Sequence, residues 1–311
     1  MKKKILVTGG AGFLGSHICK RLIQQDISLM CVDNLSSSDG SNIESLKSHN
    51  NFTFIKHDVV DPIDEKFDEI YNFACPASPP KYQSDPIQTS KTSVYGAFNL
   101  LENSKKNNSK ILHASSSEVY GDPKVSPQNE NYFGNVNPIG IRSCYDEGKR
   151  FAETIFFDYF RKFSTDIKVV RIFNTYGPCM KKSDGRVISN IITQALNNED
   201  ITIYGDGKQT RSFCYVDDLI DIILIIMNSK ERITGPFNIG NPLEFTIIDI
   251  AKKIINLTNS KSTIKYLDLP QDDPKQRKPD ISLVKEIFNW NPKINTDEGL
   301  KKTINYFRKK L

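Results

Sequence analysis

Cysteine, histidine and long apolar runs are all scarce in this chain, and each shortage narrows what it can be. Its six cysteines, Cys19, Cys31, Cys75, Cys144, Cys179 and Cys214, show no C-x-x-C spacing, so a reduced, cytoplasmic protein is expected. The four histidines, His17, His49, His57 and His113, lack ligand spacing, and no metal site is expected. Ile222 to Met227, the longest apolar run after the N-terminus, is far too short to span a bilayer. Met1-Lys2-Lys3-Lys4 begins like a signal peptide, but the apolar stretch stops at Val7 and glycines follow. The formal net charge of +5 is spread along 311 residues; it suits an anionic small substrate or simple solubility, and no basic tract for nucleic acid is present. There is no internal repeat, and Lys105 to Ser109 and Asn256 to Ser262 read as polar loops.

What is present begins at the N-terminus. Lys4 to Thr8 forms a short apolar strand that runs into Gly9-Gly10-Ala11-Gly12-Phe13-Leu14-Gly15, and Leu14, Ile18 and Leu22 then recur at helical spacing. The glycines therefore fall between strand and helix, where backbone N–H groups and the helix dipole can receive a pyrophosphate. A second strand, Leu29 to Val32, ends in Asp33, a carboxylate placed to grip ribose hydroxyls and to repel a 2′-phosphate, so NAD is favoured over NADP. Further apolar runs at Phe52 to Ile55, Ile70 to Ala74, Ile111 to Ala114 and Val169 to Phe173 alternate with helical patterns. The fold expected is α/β, a Rossmann-type doubly wound parallel sheet with a smaller mixed α/β substrate domain. Ligands of such sheets gather at the carboxyl ends of the strands, where Asp58, Ala74, Ser115 to Glu118 and Asn174 fall.

Tyr-x-x-x-Lys occurs four times. Around Tyr120 and Lys124, and around Tyr204 and Lys208, Gly, Asp or Pro signal turns, and Tyr306 with Lys310 closes a C-terminal amphipathic segment. Tyr145 and Lys149 differ: Ser143 with Asp146 resembles a capping box, and Phe151, Ile155, Phe156 and Tyr159 keep helical spacing. The phenol and the ammonium then share one helix face as an acid/base pair. A phenol titrates near pH 10, and lowering it by roughly 3 units corresponds to about 4 kcal/mol, which Lys149 and a positive nicotinamide could supply.

In sequence order these motifs resemble the extended short-chain dehydrogenase/reductases, the sugar-nucleotide epimerase and dehydratase superfamily, over essentially the whole chain. Three strings resemble the UDP-glucuronate decarboxylases more specifically: Pro76-Ala77-Ser78-Pro79-Pro80, Tyr145-Asp146-Glu147-Gly148-Lys149-Arg150, and Arg277-Lys278-Pro279-Asp280, which ends the longer matching string Gln271 to Asp280. The resemblance implies NAD as cofactor, held by Gly9, Gly12, Phe13, Leu14, Gly15, Asp33, Asn34, Ser36, Ser37, Asp58, Val59, Ala74, Tyr145, Lys149, Thr175 and Arg186. It implies a UDP-sugar, UDP-glucuronate, held by Lys91, Asn174, Val187, Tyr204, Gln209, Arg211 and Arg277. Catalysis would fall to Tyr145, Lys149, Ser116, Ser117, Glu118 and Arg277, and the chain would divide into residues 1–174 plus about 210–241, and about 175–209 plus 242–311.

The implied activity is oxidation at sugar C4, loss of the C6 carboxylate as carbon dioxide, protonation of C5 and return of the hydride, giving UDP-xylose. Glu118 and Arg277 would manage the carboxylate and the C5 proton. Ser117 disfavours a 4,6-dehydratase, whose acid at that place helps expel a hydroxyl. An oxidative decarboxylase that releases UDP-4-keto-pentose and NADH, a 4-epimerase, and a noncatalytic NAD-binding regulator remain alternatives. Departures from the resemblance are Cys75, Ser93 and the loop Leu35 to Ser38. The apolar positions of Thr92 to Leu101 and Tyr145 to Phe163 point to a homodimer.

Overall fold

The structure is a computed structural model that describes residues 2–230, 232–269 and 276–310. Gln271 to Lys275, the first half of one expected site string, lies outside the described residues. The chain opens with β1 (Lys3–Thr8), α1 (Phe13–Leu22), β2 (Ile27–Asp33), β3 (Phe52–Lys56) and β4 (Glu69–Asn72). After α2 (Pro79–Ser84) and the long α3 (Pro86–Asn107) come β5 (Lys110–Ser116), a 3₁₀ turn at Ser117–Tyr120, α4 (Ser143–Phe163) and β6 (Ile167–Ile172). Next are β7 (Thr175–Tyr176), α5 (Val187–Asn197), β8 (Ile201–Tyr204), β9 (Thr210–Ser212), β10 (Cys214–Tyr215), α6 (Val216–Met227) and β11 (Phe237–Ile239). The last are β12 (Glu244–Thr246), α7 (Ile247–Thr258), β13 (Ile264–Leu267), β14 (Gln276–Arg277), α8 (Ser282–Phe288) and α9 (Thr296–Arg308).

Seven strands make one parallel sheet in the order β11-β6-β5-β4-β1-β2-β3. The order reverses beside β1, which places a crevice at the carboxyl ends of β1 and β4. Central strands of such a sheet are covered on both faces, so their side chains are apolar in both directions. Along β1, Ile5 and Val7 enter the core shared with α1 and α6, while Leu6 enters the one shared with α3 and α4. On α4, Ala152, Ile155, Phe156 and Tyr159 recur at helical spacing and meet Ala97, Leu100 and Leu101 of α3.

The remaining strands are short and pair outside the large sheet. They form three small sheets: β10 pairs with β7, β13 with β8, and β9 lies between antiparallel β12 and parallel β14. That register sets Arg277 directly beside Arg211. No described helix is long and apolar enough to cross a membrane.

Three local expectations are corrected. The capping box at Ser143 and Asp146 does not form: Arg142 is the N-cap, no side chain caps the helix, and the Ser143 hydroxyl donates instead to the Asn137 carbonyl. The preceding loop folds back on the helix start and takes that donor. The segments Lys105–Ser109 and Asn256–Ser262 also begin inside helices, because α3 and α7 continue to left-handed C-caps at Asn108 (φ 54°) and Asn259 (φ 54°).

Candidate active site

One cleft of about 710 Å³ runs across the carboxyl ends of the parallel strands and on to β8, β9 and β14. Its first end is the glycine turn. Gly9 adopts φ +65°, and a Cβ there would stand 2.7 Å from the Phe73 carbonyl; one on Gly15 would stand 2.2 Å from the Gly9 oxygen. Only hydrogen atoms fit, so the backbone lies open to a ligand. α1 then starts with no side-chain cap at Gly12 and no acid in its first turn, which leaves first-turn N–H groups free for an anion. Gly9, Gly12, Phe13, Leu14 and Gly15 all line the cleft.

Asp33 closes this end. Its two oxygens accept from the Ala11 N–H at 3.0 Å and the Leu35 N–H at 2.8 Å, and burial pushes its carboxyl upward against those bonds. Each oxygen keeps further lone pairs for hydroxyl donors. Asp58 accepts from Asn34 at 2.8 Å and Gln88 at 2.9 Å, and Asn34, Ser36, Ser37, Asp58, Val59, Ala74, Thr175 and Arg186 line the same wall. Arg186 is paired with Asp184 and lies over the Phe13 ring at 5.6 Å. The donor set, the tight backbone cradle and the ribose-facing acid fit a dinucleotide.

Midway along the cleft, α4 sets Tyr145 and Lys149 on one face, both nearly fully buried. The Lys149 ammonium donates to the Ala114 carbonyl at 2.8 Å and lies 5.8 Å from the Tyr145 ring centre. The phenol is not lowered. Burial, and then Cys75, push it well above its ordinary value, while a bond to Ser116 pulls the other way. Burial also lowers Lys149. The expected preference for phenolate therefore does not arise from these two side chains alone, because desolvation outweighs the ammonium's field. Tyr82 of α2 stacks on Tyr145, with ring centres 5.1 Å apart.

Beyond Tyr145 lies a nest of charges. Ser116 caps the 3₁₀ turn, its hydroxyl accepting from the Glu118 N–H at 3.2 Å, and this turn presents Ser117 and Glu118 to the cleft. Glu118 Oε2 accepts from Arg142 Nη2 at 2.5 Å and from Arg277 Nη2 at 3.0 Å. Arg277, 1% exposed, also donates to the Gly121 carbonyl at 2.9 Å. Burial works to raise Glu118, but Arg277 and Arg142 hold it below its usual value. It is an ionised carboxylate clamped by two guanidiniums, with Arg211 adding to the field.

At the far end Asn174, Val187, Tyr204, Gln209 and Arg211 line the cleft. Gln209 donates to the Tyr204 carbonyl at 2.6 Å, which holds that loop to its strand. Lys91 stands apart: it is exposed on α3 and does not line the cleft, whose wall there is made by Gln88 and Thr92. The residues not anticipated are Tyr82, Arg142 and Asp146. Arg142 and Asp146 carried a signal, since opposite charges at i and i+4 meet on a helix; Tyr82 carried none beyond the prolines that start α2. The architecture and cleft are those of a nucleotide-sugar epimerase or dehydratase, with a dinucleotide cradle at one end and a cationic pocket at the other.

Comparison with known proteins gives the same class. Residues 6–303 match the family model described as GDP-mannose 4,6 dehydratase. UDP-glucuronic acid decarboxylase 6 of Arabidopsis thaliana is 49% identical over 309 residues, 99% of this chain and 90% of that protein. UDP-glucuronic acid decarboxylase 1 of Xenopus tropicalis is 48% identical over 310 residues, 100% of this chain and 73% of that protein. Among solved structures, the UDP-glucuronic acid 4-epimerase of Bacillus cereus in complex with UDP-glucuronic acid and NAD is similar, with a TM-score of 0.91 and 28% identity over 99% of this chain and 100% of that one. The chain belongs to the UDP-glucuronic acid decarboxylase family of the nucleotide-sugar epimerases and dehydratases.

Proposed function

We propose that the protein is an NAD-dependent decarboxylase that converts UDP-glucuronate and a proton into UDP-xylose and carbon dioxide, with NAD retained through the cycle. The observation that carries the reading is the Glu118–Arg142–Arg277 nest beside Tyr145, a cationic receptor for a carboxylate at the point of proton transfer. NAD, when held by the Gly9–Gly15 turn and Asp33, would supply the hydride acceptor and a positive charge, the field that the two side chains lack on their own.

Tyr145 takes the proton of the sugar's C4 hydroxyl, and Ser116 hydrogen-bonds the same oxygen. Lys149, fixed to the end of β5 through Ala114, favours the phenolate by its charge. A ketone at C4 turns the C6 carboxylate into a β-keto acid. The C5–C6 bond then breaks, its electron pair passes into the ketone as an enolate, and carbon dioxide leaves without a metal. Glu118 and Arg277 steer the carboxylate and the proton that C5 must gain. Ser117 has no acid proton to expel a hydroxyl, which weighs against dehydration. Asn174, Val187, Tyr204, Gln209 and Arg211 form the pocket proposed for UDP, Arg211 offering a planar fork to diphosphate oxygens.

The division into residues 1–174 with about 210–241, and about 175–209 with 242–311, is supported by β11 joining the large sheet and α6 packing against α1. β9, which pairs with β12 and β14, leans toward the second unit. A homodimer through α3 and α4 is supported by exposed Tyr95, Phe98 and Phe151 on those helices. Six free cysteines suit a reduced, cytoplasmic setting.

Incubating the purified protein with UDP-glucuronate and NAD, followed by mass spectrometry and absorbance, tests the activity. UDP-xylose without net NADH is expected. Stoichiometric NADH with a UDP-4-keto-pentose would assign the oxidative route, UDP-galacturonate a 4-epimerase, and no turnover would leave the noncatalytic reading.

A further inference from the structure

β11 carries a polar residue between two apolar ones. Phe237 and Ile239 belong to the core, and Asn238 between them is 0% exposed. Its carboxamide bonds to other segments: Oδ1 accepts from the Tyr120 hydroxyl at 2.8 Å, and Nδ2 donates to the Gln128 carbonyl at 2.9 Å and the Asp280 carbonyl at 3.2 Å. We propose that Asn238 is a positioning residue for the decarboxylation, a single amide that fixes the turn bearing Glu118 against the segment bearing Arg277. This rests on the substrate reading above.

The partners of Asn238 lie close in sequence to the pair. Tyr120 ends the 3₁₀ turn that holds Glu118, and Asp280 follows shortly after Arg277. Gln128 locks the second segment in place: its backbone N–H donates to the Lys278 carbonyl at 2.9 Å, its Oε1 accepts from the Lys278 N–H at 2.8 Å, and its carbonyl also accepts from the Asp280 N–H at 2.8 Å. Arg277 reaches back to the Gly121 carbonyl and to Glu118. The bonds close a ring that runs along the chain from Glu118 to Tyr120, through Asn238 to Asp280, back to Arg277 and across to Glu118. Opened at Asn238, the ring leaves the pair held by its own contact, the Gly121 bond and the pairing of β14 with β9.

The node calls for a carboxamide. Two carbonyls on one side require two N–H donors, and the Tyr120 hydroxyl, which accepts from Arg171 at 2.9 Å, turns its proton to the amide oxygen on the other. The neighbours therefore fix which end of the amide is oxygen. A leucine, of similar size and suited to a buried strand, would make none of these side-chain bonds. The fold can absorb that change, since the Tyr120 hydroxyl keeps Arg171 and the Gln128 carbonyl keeps the Asp280 N–H. What disappears is the tether between the turn and the segment after β14. Tyr145, which takes the C4 proton, stands outside the ring on α4. Oxidation at C4 then proceeds, while carbon dioxide loss and protonation at C5 lose their geometry.

The test is turnover of UDP-glucuronate by Asn238→Leu, Arg277→Lys and the double variant, with the NADH absorbance band followed during the reaction. A misplacement on the order of 1 Å costs about 10²-fold, and Asn238→Leu is expected to lower kcat by roughly that factor. Enzyme-bound NADH should rise at steady state, because C4 oxidation outruns the steps after it; general loosening of the fold would not produce that rise. The double variant should fall no more than about twofold below the slower single variant, since both changes act on the same pair. Near-wild-type kcat in folded Asn238→Leu, a fall without a rise in bound NADH, or a double variant whose loss is the product of the two single losses overturns the inference. Should Asn238→Leu misfold by circular dichroism, Tyr120→Phe opens the ring at the same node, and the same results support or refute. Wild-type protein that does not turn over UDP-glucuronate would instead remove the substrate reading on which this rests.

Discussion

Replacing Arg277 by lysine keeps a positive charge and removes a fork, which makes it a sharp probe of the nest. The guanidinium makes two bonds in different directions, one to the Gly121 carbonyl at 2.9 Å and one to Glu118 at 3.0 Å. A single ammonium on a flexible stem cannot hold both at those lengths. Losing one hydrogen bond to a charged partner costs about 1.5 to 3 kcal/mol, which converts to a fall of about 10- to 150-fold in kcat/KM if the bond is made in the transition state. Glu118 keeps Arg142 at 2.5 Å, so its charge stays paired and the fold persists. Product formation from UDP-glucuronate, followed by mass spectrometry alongside circular dichroism and thermal unfolding, measures both. A folded Arg277→Lys variant within threefold of the wild type would show that the fork is scaffolding and that the assigned role is wrong.

Four other outcomes follow from the same geometry. Tyr145→Phe should lower turnover by about 10²- to 10⁴-fold, the range of a lost acid/base group, with substrate binding by calorimetry retained; near-normal turnover would dismiss the phenol as base. Gly15→Ala puts a Cβ 2.2 Å from the Gly9 oxygen and 2.8 Å from the Gly10 Cα, so the purified variant should release little or no dinucleotide on acid denaturation, and wild-type content would count against the cradle. Phe98→Asp, on the exposed face of α3, should give monomers in light scattering; an unchanged dimer would move the interface elsewhere. The folded pKa of Asp146, about 7, lies above its unfolded value near 3.8, so the folded state binds that proton more tightly. Its contribution to stability is full below about pH 4 and is lost as pH rises toward 7, on the order of a few kcal/mol. Asp146→Asn should therefore gain stability relative to the wild type between pH 5 and 8 in urea unfolding, and parallel pH curves for the two proteins would contradict this.

The strands at Lys4, Leu29, Ile70, Ile111 and Val169 were legible because a sheet covered on both faces needs largely apolar runs, and few other structures do. The glycine turn was legible because backbone contact at Gly9 and Gly15 excludes every other side chain. Helix ends were less so: Ser143 had the composition of a cap, but a neighbouring loop claimed its hydroxyl, and nothing local records that competition. The direction of Tyr145's titration was hidden for the same reason, since spacing gives the distance to Lys149 but not the water removed by Tyr82 and the surrounding wall. Arg142 and Asp146 stood in plain view within a quoted string, yet their partner Glu118 comes from another element, and one-dimensional spacing cannot report that meeting.

The order of strands in the large sheet also bears on how the chain is made. β6 is flanked on one side by β5 and on the other by β11, whose residues, 237–239, are translated long after residues 167–172. A nascent chain emerging from the ribosome can therefore assemble most of the sheet while one border still offers its unpaired amides and carbonyls. Until Phe237 to Ile239 arrive, that border is where a neighbouring chain could add itself. Chaperone demand during synthesis should accordingly peak in the interval between those two strands.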